Sequence, residues 1–193
     1  MAALLPLVAA VGAVALLLWR LRNRSTRTVV APRFGTLNLM GEAGAILEAT
    51  DTAALAPVLG DAARSSTVPP RCSVLFLYCD LERDGRVKNS SDGLRELIRA
   101  SGATVVVVAS ENSGDSYIAA AKARPYGRAN LVMTLARRGA VFPRFFVQLF
   151  ESMRNGVPMP VAWVKLAPQT RGEPRAECPE TIFACEAGQV SFQ

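Results

Sequence analysis

A chain of 193 residues, half of them apolar, can bury one sizeable core and still carry an appendage. Its net charge of +6 is uneven: residues 1–41 hold five arginines and no acid, and the remainder is close to neutral, which argues against the basic folded face of a nucleic-acid-binding domain. The chain contains no histidine, which removes Ser–His and Cys–His nucleophile pairs, His metal ligands and the commonest general base.

The run AALLPLVAAVGAVALLLW, residues 2–19, carries no charge. At about 1.5 Å per residue it reaches roughly 27 Å as a helix, enough to cross a hydrocarbon core. Trp19 is placed as an interfacial anchor, and Arg20, Arg22 and Arg24 come directly behind it. A cleavable signal peptide would carry its positive charge before the apolar run instead. The positive-inside rule puts the domain C-terminal to these arginines on the cytoplasmic or matrix side. The acid-free, Arg-rich stretch RLRNRSTRTVVAPR shares the bias of mitochondrial targeting segments. Residues 1–27 are therefore expected to form a single-pass transmembrane anchor with a basic flank, seated in membrane lipid, with the mitochondrial inner membrane as the expected location.

Residues 28–69 read as an extended and helical lead-in. Pro32, Gly35 and Gly41 break its first part, and an Ala/Leu-rich stretch then predicts one or two helices interrupted near Pro57. TVPP at 67–70 marks a boundary, and the α/β domain is expected over residues 70–193. SVLFLYC (73–79) shows no alternation and predicts a strand buried on both faces. A helix is expected over 91–101, capped by Ser91, with Leu94, Leu97 and Ile98 inward and Gly102 as its stop. ATVVVVA (103–109) predicts a second buried strand, SENSGD its exit loop, and SYIAAAKA a short helix ended by Pro125. ANLVMTLA (129–136) predicts a third strand. A helix entered at Pro143 comes next, with Phe146, Leu149, Phe150 and Met153 on one face and Gly156 at its end. PVAWVKLA (160–167) stays open between strand and helix, and TIFACEAGQVSF predicts a terminal β-hairpin around residues 186–188. The alternation predicts an α/β fold: a mostly parallel sheet covered by helices on both faces.

Chemistry in such sheets sits at the carboxyl ends of the strands. Asp80 falls after the first predicted strand, Glu111 with Asp115 after the second, and Arg137 with Arg138 after the third. An acid pair facing a basic pair would hold a nucleotide or a metal-bound phosphate; ordinary charged loops account for the same residues. SENSGDS matches neither phosphate-loop pattern, G-x-x-x-x-G-K-[ST] or G-x-G-x-x-G. Cys72, Cys79, Cys178 and Cys185 form two pairs with six residues between, wider than zinc motifs use and too sparse for a disulfide scaffold. They are expected as reduced thiols in or beside the core. No metal and no cofactor is expected.

The element order over residues 70–167 resembles the caspase-like fold, and its CHAT relatives in particular, with a Rossmann-like sheet as the other architecture of this pattern. Those proteins place a catalytic His in a Gly-flanked loop after one strand and a catalytic Cys after the next, in a pattern like D-A-C-x-S-G. Here LFLYCDLERDG occupies the first place and VVVASENSG the second. If Ser113 and Gly114 match the end of that pattern, Glu111 stands where the nucleophile would be, and the first loop has no His. The segment ANLVMTLARRGAVFPRFFVQLFESMRNG is similar to the strand and following helix of CHAT domains. The resemblance thus implies a protease-like domain without its dyad. The expected function is a non-catalytic, membrane-anchored accessory subunit, with other subunits of a membrane complex such as a respiratory one as partners, and no nucleic acid. The alternative is a membrane-tethered caspase-like or TIR-like effector that binds a nucleotide and uses Glu111 as an acidic group.

Overall fold

The computed structural model describes residues 28–121, 129–167 and 178–193. The expected anchor, residues 1–27, lies outside the described residues, as does Pro125. Among the described residues no helix is long and apolar enough to cross a membrane.

The elements in chain order are β1 (Thr28–Val30), β2 (Phe34–Asn38), α1 (Glu42–Leu59), β3 (Ala63–Ser65), β4 (Val74–Tyr78), α2 (Leu94–Ser101), β5 (Val105–Val108), α3 (Gly114–Ala121), β6 (Asn130–Ala136), α4 (Val141–Arg154), α5 (Met159–Leu166), β7 (Glu180–Cys185) and β8 (Val190–Phe192). A six-stranded sheet runs β3-β2-β4-β5-β6-β7. Its first five strands are parallel and β7 is antiparallel to β6. A separate parallel pair joins β1 to β8.

Both faces of the sheet are covered, which is why VLFLY and VVVV run apolar without alternation. On one face α1, α4 and α5 enclose an aromatic core. Phe76 of β4 is its centre, packed edge-on against Phe34, Phe142, Phe146 and Phe150 at 5.4–6.5 Å between ring centroids. On the other face α2 and α3 cover an aliphatic core that includes Leu75, Leu77, Val106, Val108 and Ile98.

Three expectations are corrected. Residues 28–69 are no lead-in: β2 lies inside the sheet, paired with β4 along its whole length, and α1 packs its Leu55, Val58 and Leu59 into the aromatic core. The boundary expected at residues 67–70 therefore separates no core. The terminal hairpin does not form: β7 pairs with β6, and β8 leaves to pair with β1. The split is fixed by Asn130, whose side chain binds Gly188 O at 2.9 Å and Ala187 N at 3.0 Å, turning the chain away between the two strands. Helix α2 starts later than expected, with Gly93 rather than Ser91 at its N-cap. The open segment 160–167 is helical, with Pro160 in its first turn.

Because β3 lies on one side of β2 and β4 on the other, the strand order reverses between β2 and β4. Crevices outside the carboxyl ends of the strands around such a reversal are where open α/β sheets bind ligands.

Candidate functional site at the carboxyl edge of the sheet

The residues with chemistry gather at the carboxyl ends of β4, β5 and β6. Arg137 follows β6 and is buried. Its Nη2 binds Asp51 Oδ1 at 2.7 Å and its Nη1 binds Asp51 Oδ2 at 3.0 Å and Ala109 O at 2.5 Å. The guanidinium also lies over the Phe142 ring, 3.8 Å from its centroid. Asp51 Oδ2 accepts a further bond from the Tyr78 hydroxyl at 2.9 Å. A bidentate guanidinium and a phenol thus occupy a carboxylate that has no exposed surface. Burial pushes the Asp51 carboxyl above its usual range, against the bonds and charge of Arg137. Burial and the Asp51 charge together push the Tyr78 phenol far up, so it stays a donor.

Glu111 is exposed and turns Oε1 onto the backbone N–H of Arg137, at 2.7 Å. The acid pair does not face a basic pair. Asp115 is exposed in the first turn of α3. Arg138, exposed and at φ 58°, pairs with Glu180 of β7. Asp80 is half-buried, and its carbonyl accepts the N–H of Lys88 at 2.8 Å. Of the five expected site residues, only Glu111 and Arg137 meet, and they meet through the main chain.

The loops that would carry a caspase-like dyad are stitched to each other. Ser110 Oγ accepts from Cys79 N at 3.0 Å and donates to Cys79 O at 2.5 Å. Asn112 accepts from Leu81 N at 2.7 Å and donates to Cys79 O at 3.1 Å. Tyr117 donates to Thr134 O at 3.0 Å. Residues 81–87 turn back on themselves, and Gly85, at φ 85°, presses on α3 so closely that a Cβ would fall 2.2 Å from Ala120 N. Cys79 is fully buried; burial, with a smaller push from Asp80, raises its thiol to about 12, so almost no thiolate is present near neutrality. Burial likewise lifts Cys72 to about 11. No disulfide joins the four cysteines, of which Cys185 alone is exposed. Among the described residues no group of three or more His, Cys, Asp or Glu side chains gathers to hold a metal ion.

Two participants escape a reading by strand ends. Asp51 comes from α1, in the segment expected as a lead-in. Its signal was its phase: it shares a face with Leu55, Val58 and Leu59, an acid set in an apolar stripe. The second is a cavity between the carboxyl ends of β2 and β3, lined by Asn38, Glu48, Arg64, Ser65 and Ser66.

Compared with protein-family models, with curated proteins and with solved structures, the chain finds no match in any of the three.

Proposed function

We propose that the protein is a non-catalytic accessory subunit of a larger membrane assembly, held by a single N-terminal helix in the mitochondrial inner membrane. Its α/β domain is, in this reading, a caspase-like domain without a dyad that serves as an interaction scaffold. One observation carries the non-catalytic part: the edge of the sheet where the dyad would stand is consumed by internal bonds. Arg137, Asp51 and Tyr78 satisfy one another, Ser110 and Asn112 hold the Cys79 main chain, and Glu111 caps the Arg137 N–H. The Cys79 thiol has neither a histidine in the chain to activate it nor a path to solvent. The uncharged run at residues 2–19 and the arginines behind it support the anchor, with membrane lipid as its surroundings. The near-neutral remainder of the chain favours protein partners over nucleic acid. Ile46 on α1 and Val161 on α5 are exposed apolar side chains available to such partners.

The nucleotide-binding effector asks Glu111 to face a substrate, whereas one of its oxygens is turned onto the main chain. The test is isolation of the tagged full chain in mild detergent, alongside Glu111→Gln. A stoichiometric, detergent-stable complex, unchanged by Glu111→Gln, is the expected result. A lone monomer after gentle solubilisation, or nucleotide binding that Glu111→Gln abolishes, would overturn the proposal.

A further inference from the structure

The cavity between β2 and β3 differs from the rest of the carboxyl edge in having charges that are not neutralised by each other. It measures about 250 Å³ and opens to solvent. At ~30 Å³ per water it has room for about eight water molecules, the scale of a small organic ion rather than a nucleotide. Glu48 forms one wall. It projects from the second turn of α1 toward the sheet, is only 8% exposed, and accepts the hydroxyl of the fully buried Thr36 on Oε1. Its other oxygen takes no hydrogen bond from the protein and is not sealed from solvent, so it is free to accept from a ligand in the cavity.

Arg64 lines the same cavity. The register of the parallel pair sets Arg64 beside Thr36, on the α1 side of the sheet. Its Nη2 donates to Thr52 Oγ1 at 2.7 Å, which steadies the side chain on α1. Glu48 and Arg64 make no ion pair with each other. Asn38 and Ser65 finish the rim. Asn38 is committed to the Gly41 carbonyl and the Met40 N–H. Ser65 Oγ accepts from Thr67 N and Val68 N, which leaves its own proton to donate.

A carboxylate and a guanidinium that line one cavity, each bonded to one threonine and with no ion pair between them, complement a molecule that carries both charges. We propose that this cavity binds a small zwitterion of the amino-acid type, its ammonium on Glu48 and its carboxylate on Arg64, with the Ser65 hydroxyl as a further donor. A simple anion or cation would use only one wall. The site goes beyond the scaffold reading and would add to it a ligand-responsive element; neither depends on the other.

The test is calorimetric titration of the full chain in mild detergent with glycine, β-alanine and γ-aminobutyrate, and with acetate and methylammonium as half-ligands. At least one zwitterion is expected to bind tenfold or more tightly than either half-ligand. Glu48→Gln and Arg64→Gln are each expected to weaken it at least tenfold. Arg64 is exposed, so its variant keeps the fold and decides the matter even if Glu48→Gln is unstable. Absence of binding by all three zwitterions, equal binding by a half-ligand, or wild-type affinity in Arg64→Gln would each overturn the proposal.

Discussion

The carboxyl edge of the sheet has two halves that look alike in sequence and differ in their bonding. Past β4, β5 and β6, Ser110, Asn112, Glu111 and Arg137 are bonded onto another strand end or onto α1, and Arg138 pairs with Glu180. Past β2 and β3, an acid and a base line one cavity without forming an ion pair. A charged residue at a strand end therefore says little about chemistry until its partners are known. Arg137 follows β6 directly, and Arg64 stands in the middle of the short β3. One is a buried strut between Asp51 and Ala109 O, and the other is an exposed arm held by a single threonine.

The largest effect should come from breaking the strut. Asp51→Asn or Arg137→Met leaves one buried polar partner uncompensated and should cost about 3–5 kcal/mol in chemical denaturation. Asp51→Asn combined with Arg137→Met removes both charges and should cost less than the sum of the two singles; additive costs would show that the two residues act independently. Gly85→Ala should come second, at about 2 kcal/mol or more, because it forces both a left-handed backbone and a clash with Ala120 N. Raising the pH should then weaken the closed half. The Cys79 thiol keeps its proton to about 12 in the folded chain but loses it near 9.0 when unfolded. The stabilisation is therefore full below pH 9 and drains away as pH rises through about 12, at roughly 1.4 kcal/mol per pH unit in between, with Tyr78 and Tyr117 shifted in the same sense. A flat denaturation midpoint from pH 8 to 11 would contradict this. Asn112→Ala, which strands the Leu81 N–H, should cost about 1–2 kcal/mol. Arg64→Gln in the open half should change stability by less than about 0.5 kcal/mol.

Much of the sheet was legible because its strands are buried on both faces and its helices on one. VLFLY, VVVV and the phase of Phe146, Leu149, Phe150 and Met153 left little choice of period. FGTLN was obscured by a glycine that reads as a break. Gly35 is there because a Cβ would lie 2.7 Å from the Pro70 ring and 2.9 Å from Cys72 Sγ, a constraint visible only once residues 70–72 are folded beside it. The partners of β7 and β8 were equally hidden, since two short strands around a glycine fit a hairpin as well as they fit two separate sheets. The positions of Glu111 and Arg137 at strand ends were readable, but not that they are structural: that depends on Asp51, 86 residues from Arg137 in sequence. That no Cys–His pair can form was plain from composition alone, because the chain holds no histidine.

Amide hydrogen exchange reads both halves of the edge in one sample, and so puts the contrast between them to the proof. The N–H groups of Cys79, Leu81 and Arg137 are bonded to Ser110, Asn112 and Glu111 and should exchange only with global unfolding, while the N–H of Ser66, an exposed residue just past β3, should exchange early. Exchange of the Cys79 and Arg137 amides as fast as that of Ser66 would contradict the closed edge, and with it the scaffold built on that edge.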